Sequence, residues 1–284
     1  MLTFAFISFD RPDRRCPCDD NTYYCELPGF HCNMLNIVNK ASNFPSKAQP
    51  GGWNDLDMLE VGNGGMTDNE YVAHMSLWAL MKSPLIMGNS LDKITAQSLS
   101  ILMNPAVIAI NQDPAGSSGQ RVWRFDTDKD KYGRGEISLW TGSLANGDQV
   151  VALLNASPSD MMMNATLEDI FIDGGSQYYN QAWDVYDLWA NQISNATAQA
   201  LMNGTSIRDS TLNGTQPLSN STGYYNATQT SYAKGLAAND TRLFGSMIDT
   251  VQAQGTLNAM IPSHGIGFYR LRKNPTATRK RDEL

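Results

Sequence analysis

Apolar residues at helical spacing follow a capping signal in the first third of the chain. Thr67 and Glu70 have the spacing of a capping box, and the apolar positions between residues 71 and 81 predict an amphipathic helix that ends before Pro84. The short apolar run at residues 85–88 predicts a buried parallel strand, and a second helix is expected from residue 96 to about 103. This alternation indicates an α/β region, preceded by a shorter helix from about residue 30 to 40.

After residue 113 the pattern of apolar residues changes to one typical of β-strands. Short apolar runs at residues 122–125, 137–140, 149–154 and 265–272 are separated by Asp, Gly and Asn, which is typical of antiparallel strands. We therefore predict domains at residues 1–113 and 114–276 and a charged tail at 277–284. Residues 191–240 are rich in Asn, Ser, Thr and Gly and are expected to form a surface insertion that is partly loop.

Composition narrows the class of protein. The chain has 284 residues, 42% of them hydrophobic, so it can bury a sizeable core. Its formal charge of −7 argues against partners that carry phosphate, including nucleic acid. No apolar run reaches the roughly 18 residues of a membrane span, so no membrane partner is expected.

The four cysteines form one cluster with the spacing C-x-C-x6-C-x6-C, which matches no usual zinc pattern. Two disulfides in a surface loop are favoured over a metal site. A bond between neighbours is disfavoured because Pro17 would make the ring very tight, which leaves two connectivities open. The cysteines are Cys16, Cys18, Cys25 and Cys32.

Eight Asn-x-Ser/Thr sequons indicate a glycosylated protein of the secretory pathway. The predicted glycosylation sites are Asn155, Asn164, Asn195, Asn203, Asn213, Asn220, Asn226 and Asn239.

A polar, glycine-rich segment between residues 51 and 66 is the main candidate for a functional site. It contains Trp53, Asn54, Asp55, Asp57 and Met58. Two interpretations follow from the residues alone. The carboxylate pair is either the acid and nucleophile of a glycoside hydrolase, which lie about 5–5.5 Å apart in retaining enzymes, or it caps amides of the loop.

Several motifs together resemble the α-galactosidases of glycoside hydrolase family 27, especially fungal ones. Among them are the polar segment, Ser-Pro-Leu-Ile-Met-Gly-Asn at residues 83–89, Ala-Trp-Asp-Val-Tyr-Asp-Leu-Trp at 182–189, and residues 262–271. The resemblance implies a (β/α)8 barrel, of which this chain carries only the C-terminal part with strands seven and eight, followed by an antiparallel β-sandwich. It also implies retaining hydrolysis of terminal α-linked galactose, without metal or organic cofactor.

The resemblance assigns roles to individual residues. It implies that Asp57 and Met58 line the galactose pocket, with Asp57 as hydrogen-bond acceptor, while Trp53, Asn54 and Asp55 shape the same turn. The family's nucleophile lies in a Tyr-Asp-Asn-Cys-like motif that this sequence lacks, and Phe4 falls at the position of its acid/base aspartate. No catalytic residue is therefore assigned, and the chain as given is expected to be inactive and to fold poorly where apolar faces lack partners.

The first eight residues have two explanations: a barrel strand, or an intron read through as protein. The mismatch with the family before Ser8 favours a truncated sequence. Two alternative functions stay open, namely an α-N-acetylgalactosaminidase and a non-catalytic carbohydrate-binding or vestigial product. We expect secretion although the sequence shows no signal peptide. The Asp-Glu-Leu ending resembles an ER-retrieval signal, but a plain charged tail is favoured.

Overall fold

A computed structural model describes residues 34–204 and 223–274, together with Phe30 and the backbone of the strand Ala5–Phe6. The four cysteines, Phe4, the sequons at Asn213 and Asn220, and the charged tail lie outside the described residues. The predictions made for them stay predictions.

Helices occupy the first part of the described chain and three later segments. They are α1 (Leu35–Ala41), α2 (Asp68–Leu80), α3 (Ala96–Leu102), α4 (Pro105–Asn111), α5 (Leu167–Ile170), α6 (Ser176–Tyr179), α7 (Asn195–Met202) and α8 (Tyr232–Ala237).

Helix α2 begins at the predicted capping box. The Thr67 hydroxyl accepts from the Glu70 amide at 3.4 Å, and Oε2 of Glu70 accepts from the Thr67 amide at 2.7 Å. The helix is more deeply buried than an amphipathic stripe predicts, because nearly all of its residues from Glu70 onward are enclosed. It packs against α3, α4 and two strands of the large sheet, so polar side chains on several of its faces must find partners inside the protein.

Strands build two antiparallel sheets and a small parallel pair. The strands are β1 (Ala5–Phe6), β2 (Asn54–Asp55), β3 (Gln120–Asp126), β4 (Glu136–Ser143), β5 (Gln149–Asn155), β6 (Met161–Thr166), β7 (Trp183–Asp187), β8 (Ser246–Val251), β9 (Thr256–Ile261) and β10 (Gly265–Lys273).

The large sheet has the order β3-β4-β5-β10-β7-β8, and β6 pairs with β9 in a second sheet. Strands β3, β4, β5 and β10 confirm the four predicted runs. Strands β6, β7, β8 and β9 were not predicted. Each of them is short, and β6, β8 and β9 also expose many of their side chains, so that their apolar pattern is weak.

Within the described residues, parallel pairing is confined to the polar segment and the two short runs that pair with it. Strand β1 pairs with β2 in parallel, and Leu59 forms a parallel bridge with Met87. The prediction of a buried strand at residues 85–88 is wrong in two respects. The run makes one bridge only, and Ile86 and Met87 are 54% and 39% exposed, because no described element covers them.

The large sheet is buried on both faces. On β5, Val151 and Leu153 face the β6–β9 sheet, whereas Ala152 and Leu154 on the same strand face the helices. Strand β10 alternates in the same way, with Phe268 toward the helices and Leu271 toward the small sheet. This double burial explains why the central strands are almost continuously apolar.

A buried ionic network joins the sheet to the helical layer. Nε of Arg270, on β10, lies 2.7 Å from Oδ2 of Asp148, and Nη2 lies 3.7 Å from Oδ2 of Asp113, in the loop after α4. The side chain of Arg270 is 1% exposed and its guanidinium lies over the Phe244 ring at 4.7 Å. Burial of an unpaired charge is costly, so the two carboxylates and the arginine must be kept together.

We expect Arg270→Met to lower the free energy of unfolding by about 3–5 kcal/mol, because it removes the buried cation that Asp113 and Asp148 share and leaves Asp148 with Arg272 alone, whose Nε lies 3.3 Å from its Oδ2. Lys129→Met is the control. It removes a pair with Asp126 in which both side chains are exposed, by 44% and 77%, so a loss of less than about 1 kcal/mol is expected. Urea unfolding followed by tryptophan fluorescence measures both. Equal losses of unfolding free energy for the two variants would contradict the role of Arg270 as the cation of a buried ionic network.

Candidate functional site

The polar segment predicted as a site is positioned by strand β2. Asn54 lies within the strand, is buried, and donates its side-chain amide to the carbonyl of Phe44 at 2.9 Å. Asp55, at the end of the strand, accepts the amide of Asp57 on Oδ1 at 2.9 Å. The chain then turns sharply, and the residues that follow lie at the carboxyl end of a parallel strand, where α/β folds place their ligands.

Asp57 has a backbone conformation that non-glycine residues rarely adopt. Its φ is 75°, and its carbonyl accepts a hydrogen bond from Nε1 of Trp78 at 2.8 Å. Its own Oδ1 accepts from the amide of Met58 at 2.7 Å. Such a conformation persists only where the surroundings fix it, and it often accompanies function.

Both aspartates therefore cap amides of the loop, as one of the two sequence-based interpretations holds. Asp57 is half-buried, and each carboxylate uses one oxygen for the loop in these bonds. A carboxylate of this kind can accept hydrogen bonds from the hydroxyl groups of a ligand.

Buried side chains of α2 and of the turn after it hold the backbone beyond β2. The hydroxyl of Ser83 accepts from the Leu56 amide at 3.0 Å, and Nε2 of His74 accepts from the Glu60 amide at 3.1 Å. Sequence reasoning did not assign Ser83 or Trp78 to the site. For Trp78 a signal was available: its indole N–H lies at a helix position that the apolar spacing predicts to be buried, and a buried donor needs an acceptor inside the protein.

The loop also pairs with the run at residues 85–88. The Leu59 amide donates to the Ile86 carbonyl at 2.7 Å, and the Gly88 amide donates to the Leu59 carbonyl at 2.8 Å. Gly88 is required by this close approach, because a Cβ there would lie 2.9 Å from Oε1 of Glu60 and 3.0 Å from the Leu59 carbonyl oxygen. The segment from β2 to Glu60 is thus held on two sides.

Met58 and Trp53 are half-buried and lie at different places along the segment. Met58 packs close to Gly88, near the end of the loop that carries Asp57. Trp53 precedes β2 and lies beside Gly116, in the chain that leads to the large sheet. The structure brings Asp55, Asp57 and Met58 together at the carboxyl end of β2, whereas Trp53 lies before the strand.

The two described histidines have structural partners. Burial lowers the pKa of His74 to about 3, and its ring lies edge-on to Trp78 with 4.0 Å between centroids. Nδ1 of His264 lies 2.8 Å from Oε1 of Glu70, which joins the β9–β10 turn to the start of α2. Among the described residues, no group of three or more His, Cys, Asp or Glu is arranged to hold a metal ion.

The six predicted glycosylation sites that the structure describes differ in their exposure: one is buried, one is half-buried and four are exposed. Asn155 is fully buried in β5, and its side-chain amide donates to the carbonyls of Ser159, Ile261 and Pro262. The prediction of a glycan there is wrong for the folded chain, because the nitrogen that would carry the sugar is enclosed. Asn226 is half-buried, and exposed positions are Asn164, Asn195, Asn203 and Asn239.

None of the helices in the described ranges has the length and hydropathy that a membrane crossing requires.

Two family models match the chain. The model described as alpha galactosidase A matches residues 26–113, and that of the alpha galactosidase C-terminal beta sandwich domain matches residues 134–213.

Curated relatives match nearly the whole chain. The α-galactosidase of Zygotorulaspora mrakii is 51% identical over 267 residues, which are 93% of this chain and 54% of that protein. Alpha-galactosidase 1 of Saccharomyces cerevisiae is also 51% identical, with the same coverage. The chain thus spans about half the length of the curated relatives it matches.

Solved structures of α-galactosidases are similar to this chain as well. The α-galactosidase of Saccharomyces cerevisiae, also solved with raffinose, has a TM-score of 0.78 and 49% identity, and the match covers 96% of this chain and 59% of that one. Alpha-galactosidase I of Mortierella vinacea has a TM-score of 0.59 and 32% identity, over 94% of this chain and 50% of that one. The predicted fold class, part of a (β/α)8 barrel followed by an antiparallel β-sandwich, is confirmed.

The burial of His74 predicts that the free energy of unfolding decreases at acidic pH. Its folded pKa of about 3 lies below the usual 6.5, so between these values the unfolded chain binds a proton that the folded chain does not. The contribution of His74 is fully present above pH 6.5 and is lost as the pH falls toward 3. The free energy of unfolding should decrease by about 1.4 kcal/mol per pH unit in this window.

The variant His74→Gln tests this origin, because its side-chain oxygen can still accept the Glu60 amide but does not titrate. We expect a shallower pH dependence for the variant in urea unfolding at several pH values between 4 and 7. Parallel curves for the two proteins would assign the acid sensitivity to other groups.

Proposed function

Because this chain belongs to the α-galactosidase family of glycoside hydrolases, we propose that it supplies the wall of a galactose-binding pocket that follows the seventh barrel strand. The observation that carries the proposal is the conformation of Asp57. Its positive φ is fixed by the Trp78 indole and the Met58 amide, which holds the carboxylate at the carboxyl end of β2. Trp53, Asn54 and Asp55 support the same strand and turn.

The role proposed for Asp57 is to accept hydrogen bonds from galactose hydroxyl groups. Retaining hydrolysis needs a nucleophile and an acid/base carboxyl group. The sequence given has no Tyr-Asp-Asn-Cys-like motif for the nucleophile, and Phe4 falls at the position of the acid/base aspartate. We propose that the whole enzyme hydrolyses terminal α-galactosides by double displacement. By the same argument the 284 residues alone do not hydrolyse them. The relatives' name and a raffinose complex of one of them support this substrate class.

Further features are proposed with this function. We propose that the barrel part ends at residue 113 and the sandwich begins at residue 114; both residues lie in the connection between α4 and β3. Glycans are proposed at the exposed sequons and at Asn226, in a protein of the secretory pathway. At Asn226, Oδ1 already accepts from the Thr228 hydroxyl and amide, so its nitrogen remains available.

Two measurements on the purified chain test the proposal. We expect no release of nitrophenol from p-nitrophenyl α-galactoside above the buffer rate, with a yeast α-galactosidase as positive control. We expect weak binding of galactose by calorimetry, reduced about tenfold or more by Asp57→Asn, because a hydrogen bond to a charged group contributes about 1.5–3 kcal/mol.

Asn tolerates positive φ, so this variant keeps the backbone of the turn. Asp92→Asn, which changes an exposed carboxylate elsewhere, should bind galactose like the parent. Hydrolysis by the chain alone, or galactose binding that Asp57→Asn leaves unchanged, would contradict the proposal.

A further inference from the structure

A cavity lies beside the part of the chain that precedes β2. It has a volume of about 690 Å³ and is bounded by residues 45, 46 and 48–50, residues 115–118, the end of the β4–β5 hairpin, and five residues between 170 and 178. We call it the hairpin groove. Residues 45–50 precede β2, whereas Asp57 follows it, so the hairpin groove and the proposed galactose pocket lie at opposite ends of this strand. Its volume is within the usual range of about 300–1,000 Å³ for small-molecule sites.

The floor of the hairpin groove is held by buried hydrogen bonds. The hydroxyl of Thr141 donates to the carbonyl of Ile170 at 2.8 Å. The side-chain amide of Gln149 donates to the Thr141 hydroxyl at 2.6 Å and to the same carbonyl at 3.1 Å. These bonds tie β4 and β5 to the last residue of α5, so the walls are formed before a ligand binds.

One wall of the groove is aromatic. Tyr178 is half-buried and stacks on Phe171, with ring centroids 5.5 Å apart and planes 15° apart. Trp183 lies behind both rings. A stacked tyrosine of this kind combines an apolar face with a hydroxyl at its edge. This matches a sugar ring, which presents C–H groups on its face and hydroxyl groups around its rim.

The charges of the groove favour a neutral ligand. Neither Lys nor Arg lines it within the part of the chain that the structure describes, so an anion would find no partner. Its two carboxylates are already engaged. Asp148 is paired with Arg270, and Asp173 accepts a hydrogen bond from the Gln120 amide.

Uncharged polar groups complete the lining. The hydroxyls of Ser117 and Tyr178 and the side-chain amide of Gln49 border the cavity, and they make no hydrogen bond to other described residues. They offer both donors and acceptors around the aromatic wall. This combination suits a ligand with many hydroxyl groups.

We propose that the hairpin groove is a second binding site, for a short neutral saccharide. The proposal does not rest on the pocket at Asp57, and it needs no catalytic group.

Calorimetric titration of the full chain with raffinose tests the proposal, in an Asp57→Asn background that weakens the other pocket. We expect binding in this background. Ser117→Tyr, which fills the groove from an exposed position, should weaken it by about tenfold or more. The matched control is Ser159→Tyr, on an exposed turn that does not line the groove, and it should leave the affinity unchanged. Equal unfolding temperatures for all proteins verify their folding.

Two results would overturn the proposal. Raffinose binding that is present in the parent but absent in the Asp57→Asn background would place all of it at the galactose pocket. That result would keep the proposed function and remove the second site. Binding that Ser117→Tyr does not weaken would place the saccharide elsewhere on the chain.

Discussion

The buried guanidinium of Arg270 is the constraint on which the two halves of this structure depend. Strand β10 lies in the middle of the large sheet, and its arginine reaches Asp148 of the β4–β5 hairpin and Asp113 of the helical layer. Close by, Lys82 donates to the carbonyls at the end of α4, and burial lowers its pKa to about 8 despite the attraction of Asp113. Because each charge is enclosed, relative sliding of the sheet and the helices would leave one of them unpaired.

The candidate site depends on that arrangement through α2. This helix is enclosed between the sheet and the other helices, so its indole and imidazole and the Ser83 hydroxyl beyond its end have fixed positions. They are the groups that bind the backbone from Leu56 to Glu60. The positive φ of Asp57 is therefore supported from the core. A loop of the same sequence on a free surface would lose the indole that accompanies this conformation.

The sequence predicted correctly those features that are determined by residues close together in the chain. The capping box and four strands were found because their signals lie within a few residues. Helix α4 was missed because Asn104-Pro105 is both a turn signal and a helix start; in the fold Asn104 caps the amides of Ala106 and Val107. The burial of Ile86 and the glycan at Asn155 were wrong, because an apolar run or a sequon carries no information on what covers it. The partners of Arg270 are far apart in the chain, and no spacing reveals them.

Strand β2 thus separates two environments of different chemistry. After the strand, a charged acceptor sits on a backbone that buried side chains hold in a rare conformation. Before it, an aromatic wall and neutral polar groups border a wider space next to the sandwich. Trp53 packs beside Gly116, at the border between the barrel part and the groove. Because both environments are joined to the same short strand, a change in the packing of β2 would alter the loop at Asp57 and the hairpin groove together. A substitution in one of the two environments would leave the other unchanged.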